Sequence, residues 1–529
     1  MACLVGLAIC QGQPQADSLT ALWSSERSAR DSNDPAEVLG TIGQSAFLLL
    51  QTKQTGGDGS FGWGPPYFLE ELSMDGFRSV RKEEVLLGSA KQLNILEFSW
   101  AGSHINVLYS LKDAKDKVLM LRRIGSSDLK PIGGDLELLR IPEQSMFHPT
   151  QYVLMRCDER GNIIVMASYF TSKDRVSQRS SVFTFDAQGG SRREFRLKDL
   201  WPCQDAYDQA GITDDGALVF IGNRAAPPPE YVRNERCLIM IREGAAPVIA
   251  ELPHTADDPG IPCLFRSSRT GRTGVVMCGM EVGRTRLQKI SVQWVNSDGS
   301  LAPGLQAPVD PVMADELGGR FPAKAGHVNG YTPKVVEDSV NGRLYVITEL
   351  MVRDDRTGAI MQEGVITRAT VQNMRSDIHA LIPQHFTADI LISSFGDGSF
   401  SWNALVKKAQ FGNGSKLYLG YAFMAHRNGL TLWYNANATE AGDRPGDLGD
   451  LSYERADTYV ACARIGLDGE ARLSRTNPPN ADRVFRMRGH FFRPVPGERL
   501  LVCFDEAPAV DSNIGRGAKD IHVLGQLQP

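Results

Sequence analysis

The amino-acid sequence predicts an all-β fold, a β-propeller of about seven four-stranded blades with six or eight also compatible, and three observations predict it. Short apolar or alternating runs recur from Ser45 onward, tight-turn residues separate them, and stretches with helical periodicity are scarce. Two or more β-sandwich domains would use the same strands and stand as the alternative.

The runs come first. AFLLLQT, HINVLYSL, NIIVMASYF, ALVFIG, CLIMIR, RLYVITEL, KLYLGYAF and LLVCF are each five to eight residues of mainly branched or aromatic side chains, ending in Gly, Asp, Asn or Pro. Such residues suit a pleated, packed surface. The connections follow the same grammar. Asp75-Gly76, Arg160-Gly161-Asn162, Asp215-Gly216, Asp298-Gly299, Asp397-Gly398 and Asp468-Gly469 each separate two candidate strands, where Gly or Asn supplies the positive φ of a tight hairpin. Nearly thirty candidate strands result, and four per blade gives the count of about seven.

One internal repeat supports a modular body. Gly57-Asp58-Gly59-Ser60-Phe61-Gly62-Trp63 and Gly396-Asp397-Gly398-Ser399-Phe400-Ser401-Trp402 agree at six of seven positions and lie 339 residues apart. Seven units over that distance would be about 48 residues each, near known propeller periods. The first copy also satisfies GxGxxG. A dinucleotide site needs a helix to follow, however, and Trp63-Gly64-Pro65-Pro66 cannot begin one in register. Asp58, Gly59, Trp63, Asp397, Gly398 and Trp402 are therefore read as structural turn residues.

These segments resemble the Asp-box turn of sialidase-type propellers, in which Ser-x-Asp-x-Gly-x-x-Trp closes a hairpin over a buried Trp. The Asp-to-Trp spacing is kept, whereas Gly follows the Asp one place early. The likeness implies a structural turn and transfers no catalytic residue. On a larger scale residues 342–435, with RLYVITEL, DILISSFGDGSFSWNALVKKAQ and KLYLGYAFMAHRNGLTLWYNAN, resemble uncharacterised exported bacterial proteins of β-propeller-like type. That resemblance implies the fold and export, and no activity.

The N-terminus carries its own signal. Ala2–Cys10 (ACLVGLAIC) is too short to span a bilayer but fits the apolar part of a secretory signal in residues 1–16, with cleavage after Ala16. Leu7-Ala8-Ile9-Cys10 alternatively reads as a lipoprotein box with a lipid anchor at Cys10. A buried N-terminal strand is the structural alternative. The expected location is periplasmic, on the outer surface or secreted, with no transmembrane span. Residues 17–44 read as a polar linker or short helix from Asp34-Pro35-Ala36-Glu37, and the β body is expected from 45 to 529.

Two inserts interrupt that body, at about 297–333 and 435–454, and AAPPPE (225–230) must run extended outside a sheet. Loops of this kind are where function concentrates.

Charge and motifs then narrow the chemistry. A net charge of −5 with 22% charged residues presents no basic field for nucleic acid. The nine cysteines include no CxxC pair, and His379 and His385 are six apart across Pro383, so no metal is assigned. No GxSxG elbow, HExxH helix, Walker loop or EF-hand loop occurs, and no cofactor is implied. Doublets such as Glu70/Glu71 point to opposite faces of a strand and cannot pair directly. The leading functional reading is accordingly a non-catalytic exported binding scaffold with a protein or glycan partner. The alternative is a carbohydrate-active hydrolase or lyase with carboxylates around a central channel.

Overall fold

Buried middle strands explain the sequence pattern. In Ser45–Thr55, Leu48 and Leu50 pack toward one neighbouring sheet while Phe47 and Leu49 pack toward the other. A strand apolar on both faces reads as a continuous run rather than an alternation. Leu218–Ile221 and Leu430–Tyr434 are built the same way, each burying every residue.

The computed structural model describes residues 21–24, 27–28, 34–55, 61–87, 93–142, 150–157, 161–170, 178–197, 200–202, 209–224, 236–252, 262–280, 286–319, 327–354, 384–408, 410–413, 420–437, 449–450, 458–476, 485–506 and 521–529. Their strands form eight antiparallel sheets in chain order: blades 1 (34–84), 2 (94–142), 3 (151–197), 4 (200–251), 5 (263–308), 6 (327–413), 7 (422–476) and 8 (485–527). Each is built on four strands, with short additions to blades 4, 6 and 8. The innermost strand of every blade, Ala210–Ile212 in blade 4, touches that of the next, and blade 8 touches blade 1, so the ring closes around an axial channel. The apolar core is correspondingly split into eight clusters, one at each interface between neighbouring blades. The fold is thus an eight-bladed β-propeller, the upper of the counts that the sequence allows.

Closure uses both ends of the described chain. Ala21–Trp23 pairs with Ile521–Leu527 as the outermost strand of blade 8, and Arg27–Ser28 extends the same pairing. Trp23 meets Phe504 edge-on at 5.1 Å and covers Gly525, where a Cβ would lie 2.5 Å from the indole.

Three expectations are corrected here. The described residues of 17–44 form strands rather than a linker with a short helix. Besides Ala21–Trp23 they supply Asp34–Ile42, the innermost strand of blade 1, where Pro35 is tolerated because its N–H side is an edge. The stretch 297–333 is no insert. It holds the turn at Asp298-Gly299, the strand Leu305–Pro308, helix α1 (Pro311–Gly319) and the start of His327–Asp338. Finally, the two Gly-Asp-Gly segments occupy different connections. The first copy spans the link between the second and third strands of blade 1, and the second turns between the third and fourth strands of blade 6. A sequence suited to any tight hairpin recurs without marking a blade period. Residues 225–230 lie outside the described residues, as do 438–448 and 451–454 of the second expected insert.

Antiparallel topology sorts the connections by face. Turns from first to second and from third to fourth strand share one end of the ring, and those described there are short. Links from second to third strand and from blade to blade lie at the opposite end and include the longest, residues 355–383.

Candidate site on the wall of the axial channel

The innermost strands of blades 1, 2 and 3 share one irregularity. Ala36, Leu96 and Met155 are each an extra residue in the ladder, and the next residue in each case is charged: Glu37, Glu97 and Arg156. A bulge kinks the strand and re-aims the adjoining side chain. These charges therefore do not follow the in-and-out alternation of their strands. They lie at the edge facing the channel, Glu37 exposed and Glu97 half-buried.

Blade 8 holds the first bulge from the side. Arg488 donates to the carbonyl of Pro35 and makes two bonds to Asp505, at 2.8 and 2.7 Å. Arg493 donates to the carbonyl of Val38 at 3.4 Å. The backbone on either side of Glu37 is thus anchored by two arginines of the neighbouring blade. The strand bearing them is itself tied to blade 7, where the Asn435 side chain exchanges bonds with the Met487 N–H (2.8 Å) and carbonyl (2.7 Å).

Electrostatics separate the two carboxyls. Although Glu37 opens onto the channel, desolvation by the surrounding wall raises its pKa, and the Arg493 charge opposes that rise. Burial also raises Glu97, the Glu37 charge pushes it further, and the Phe98 backbone N–H only partly offsets them, leaving Glu97 at about 7. Arg493 partly offsets the rise at Glu37, whereas Glu97, pushed further by the Glu37 charge, stays protonated into the neutral range.

Aromatic and basic groups continue the wall. Phe492, next to Arg493, meets Phe423 of blade 7 edge-on at 5.1 Å, and Phe423 lies 5.7 Å beneath the Lys334 ammonium of blade 6. From blade 6 to blade 2, the inner strands carry Lys334, Phe423, Phe492, Arg493 and Glu97 at half-exposed positions and Glu37 at an exposed one. None was singled out from sequence as a site residue. The available signal was a lone charge inside an apolar inner strand, as in NILEFSW.

The residues read as turn positions lie elsewhere. Asp397 and Gly398 form the two-residue loop between Gly396 and Ser399, with φ of 51° and 73°. Trp402 donates to the Leu467 carbonyl at 2.8 Å and packs on Gly469, joining blade 6 to the next blade on the short-turn face. Trp63 pairs through its backbone with Lys53, while Asp58 and Gly59 lie outside the described residues. His379 is also outside the described residues, and His385 sits in the strand Gln384–Gly396.

Among the described residues no group of three or more His, Cys, Asp or Glu side chains is placed to hold a metal ion. No helix among them is long and apolar enough to cross a membrane.

No protein-family model and no curated protein matches the sequence. Among solved structures the chain is similar to the polysaccharide lyase Uly1, at 11% identity and TM-score 0.32 over 84% of this chain and 91% of that one. It is similar to the β-propeller domain of the Trilobed protease from Pyrococcus furiosus, at 10% and 0.25 over 60% and 93%. It is also similar to the WD40 domain of SCAP from fission yeast, at 8% and 0.28 over 78% and 95%. At these levels the likenesses assign no activity. The architecture and the wall define an eight-bladed β-propeller whose axial channel carries two unlike carboxyls.

Proposed function

We propose that the protein is an exported carbohydrate-active hydrolase or lyase working in its axial channel. The observation that carries this reading is the pairing of Glu37 with Glu97 on adjacent innermost strands, both set by bulges, with Glu97 raised to about 7 and an arginine opposing the rise at Glu37 alone. Two carboxyls with divergent environments are what glycoside cleavage requires, one to deliver a proton to the leaving oxygen and one to act as base or nucleophile. Glu97 takes the first role and Glu37, beside Arg493, the second. Phe423 and Phe492 offer apolar faces against which sugar rings can stack. This favours the enzyme reading over the non-catalytic scaffold.

The test is a panel of neutral and acidic polysaccharides incubated with the purified full chain, scoring new reducing ends and unsaturated products. Glu97→Gln and Glu37→Gln should each lower turnover at least about 100-fold, the scale of lost acid–base catalysis. Undiminished turnover in both variants, or none by the wild type on any substrate, would reject the reading.

A second reading, binding of a protein partner without chemistry, has one feature of its own in support. A cleft of about 720 Å³ opens on the short-turn face between blades 7 and 8, lined by His426, Arg464, Asp468, Arg472 and Glu498 among others. Mixed charges in an open cleft suit a polar protein surface. Export is proposed from residues 1–16, and its removal would spare the closing strand, which starts at Ala21.

A further inference from the structure

At the interface of blades 6 and 7 the channel wall holds an ammonium without a direct ion pair among the described residues. Lys334, in the first strand of blade 6, lies 4.3 Å from the centre of the Tyr421 ring and 5.7 Å from that of Phe423. Among the described residues it has neither an ion pair nor a hydrogen bond. Glu349 is the near carboxylate, but it is engaged by Lys408, whose ammonium also donates to Thr387 at 3.1 Å. The Tyr421 hydroxyl is buried in the same place, and it too lacks a hydrogen-bond partner among the described residues. Lys407, close by, is committed to Glu316 of α1 and lies 3.6 Å from Asp389.

Leaving a half-buried ammonium and a buried phenol without partners is costly. The cost is visible in Lys334: burial and the Lys408 charge push its pKa down, and Glu349 only partly opposes them. A group in this condition gains most from an anion that accepts from both donors. Glu349 already stands near this ammonium, so a monoanion suits the place better than a dianion, which would meet that carboxylate with charge in excess. Two donors, an ammonium and a hydroxyl, match the two oxygens of a carboxylate.

We infer that Lys334 and Tyr421 form a subsite for a carboxylate carried by the channel ligand, so that the substrate class is an acidic glycan containing uronic acid residues. The inference rests on the reading of the channel as a glycan site. The carboxylate binds between blades 6 and 7, while the rest of the saccharide extends along Phe423 and Phe492 toward Glu37 and Glu97.

Calorimetric titration of the full chain with trigalacturonate, oligoglucuronate, their methyl esters and neutral oligosaccharides of the same length tests this. The wild type should bind one of the acids at least tenfold more tightly than its ester, which differs only in losing the charge. Lys334→Met should erase that preference, Lys334→Arg should keep part of it, and Tyr421→Phe should weaken the acid alone by severalfold. Met removes a partly desolvated charge that has no direct ion pair, so this variant should fold at least as stably as the wild type, which thermal unfolding checks. Equal affinity for acid and ester would overturn the carboxylate subsite and leave the glycan reading standing. Failure to bind any of these saccharides would overturn both.

Discussion

Glu37 and Glu97 occupy the same place in adjacent blades, each the residue that follows a bulge in an innermost strand. The equivalence has an energetic side. Two like charges brought toward one channel cannot both ionise cheaply, and only Glu37 has an arginine beside it, so the strain falls on Glu97.

That asymmetry fixes a pH dependence of stability. The folded-state pKa of Glu97, about 7, lies above its ordinary value of 4.5. Below that ordinary value the carboxyl is protonated in both folded and unfolded chains and contributes nothing different. Between there and about 7 the unfolded chain ionises while the folded one resists, so stability falls as pH rises through this window. Glu97→Gln should flatten that part of the profile and raise the melting temperature at pH 8 while leaving it unchanged at pH 4. Thermal unfolding of both proteins across this range checks it, and parallel curves would show that Glu97 is not the group responsible.

The two arginines that hold the first bulge should behave differently. Arg488 is buried and doubly bonded to Asp505, so Arg488→Ala removes both bonds of that ion pair together with the bond to the Pro35 carbonyl. That change should cost about 3–5 kcal/mol in denaturant unfolding. Arg493→Met removes a weaker, half-exposed contact and should cost about 1 kcal/mol or less. It should instead show itself in the channel, by raising the pKa of Glu37 as its counter-charge is lost. The measurement is carboxyl titration by NMR.

These residues mark the boundary of what the amino-acid order discloses. Strand grammar and Asp-Gly turns led to the propeller because each blade's middle strands are buried on both faces, as in Ser45–Thr55, and its hairpins are local. Gly76, Gly161, Gly216, Gly299, Gly398 and Gly469 all have the positive φ that the turns require. The channel wall was not legible in the same way. Glu37, Glu97 and Arg493 come from opposite ends of the chain and meet only after ring closure. Their outward aim depends on bulges at Ala36 and Leu96, which ordinary alternation conceals. The helix signal at Asp34-Pro35-Ala36-Glu37 misled for a related reason, since a local start signal yields to pairing with Ser45–Thr55 across the sheet.

Ring closure gives another prediction. Trp23 lies half-buried over Gly525 and against Phe504. Trp23→Ala should cost about 2 kcal/mol, roughly half the loss for a fully buried aromatic. Gly525→Val should do at least as much damage, because its branched side chain would occupy the space of the indole. Both variants should open blade 8 first, seen as faster amide exchange in Ile521–Leu527 than in the interior strands of blade 4. Uniform exchange around the ring would contradict a closing role for the N-terminal strand.

The Asp-Gly turns allow a sharper comparison between two glycines with similar backbones. Gly398 has a φ of 73° with nothing within 4 Å of the position of a Cβ. Gly469 has a φ of 88°, and its Cβ would meet the Trp402 ring at 2.8 Å. Alanine at either position incurs the left-handed backbone penalty, about 1 kcal/mol. At Gly469 it must also displace Trp402, whose indole N–H would then lose the Leu467 carbonyl at 2.8 Å. Gly398→Ala should therefore cost about 1 kcal/mol, and Gly469→Ala about 3 kcal/mol once overpacking is added. A Trp402→Leu background should bring the Gly469→Ala cost down toward that of Gly398→Ala, because the obstruction is gone. A double-mutant cycle in denaturant reads this directly, and a coupling near zero would show that Trp402 does not bear on the turn.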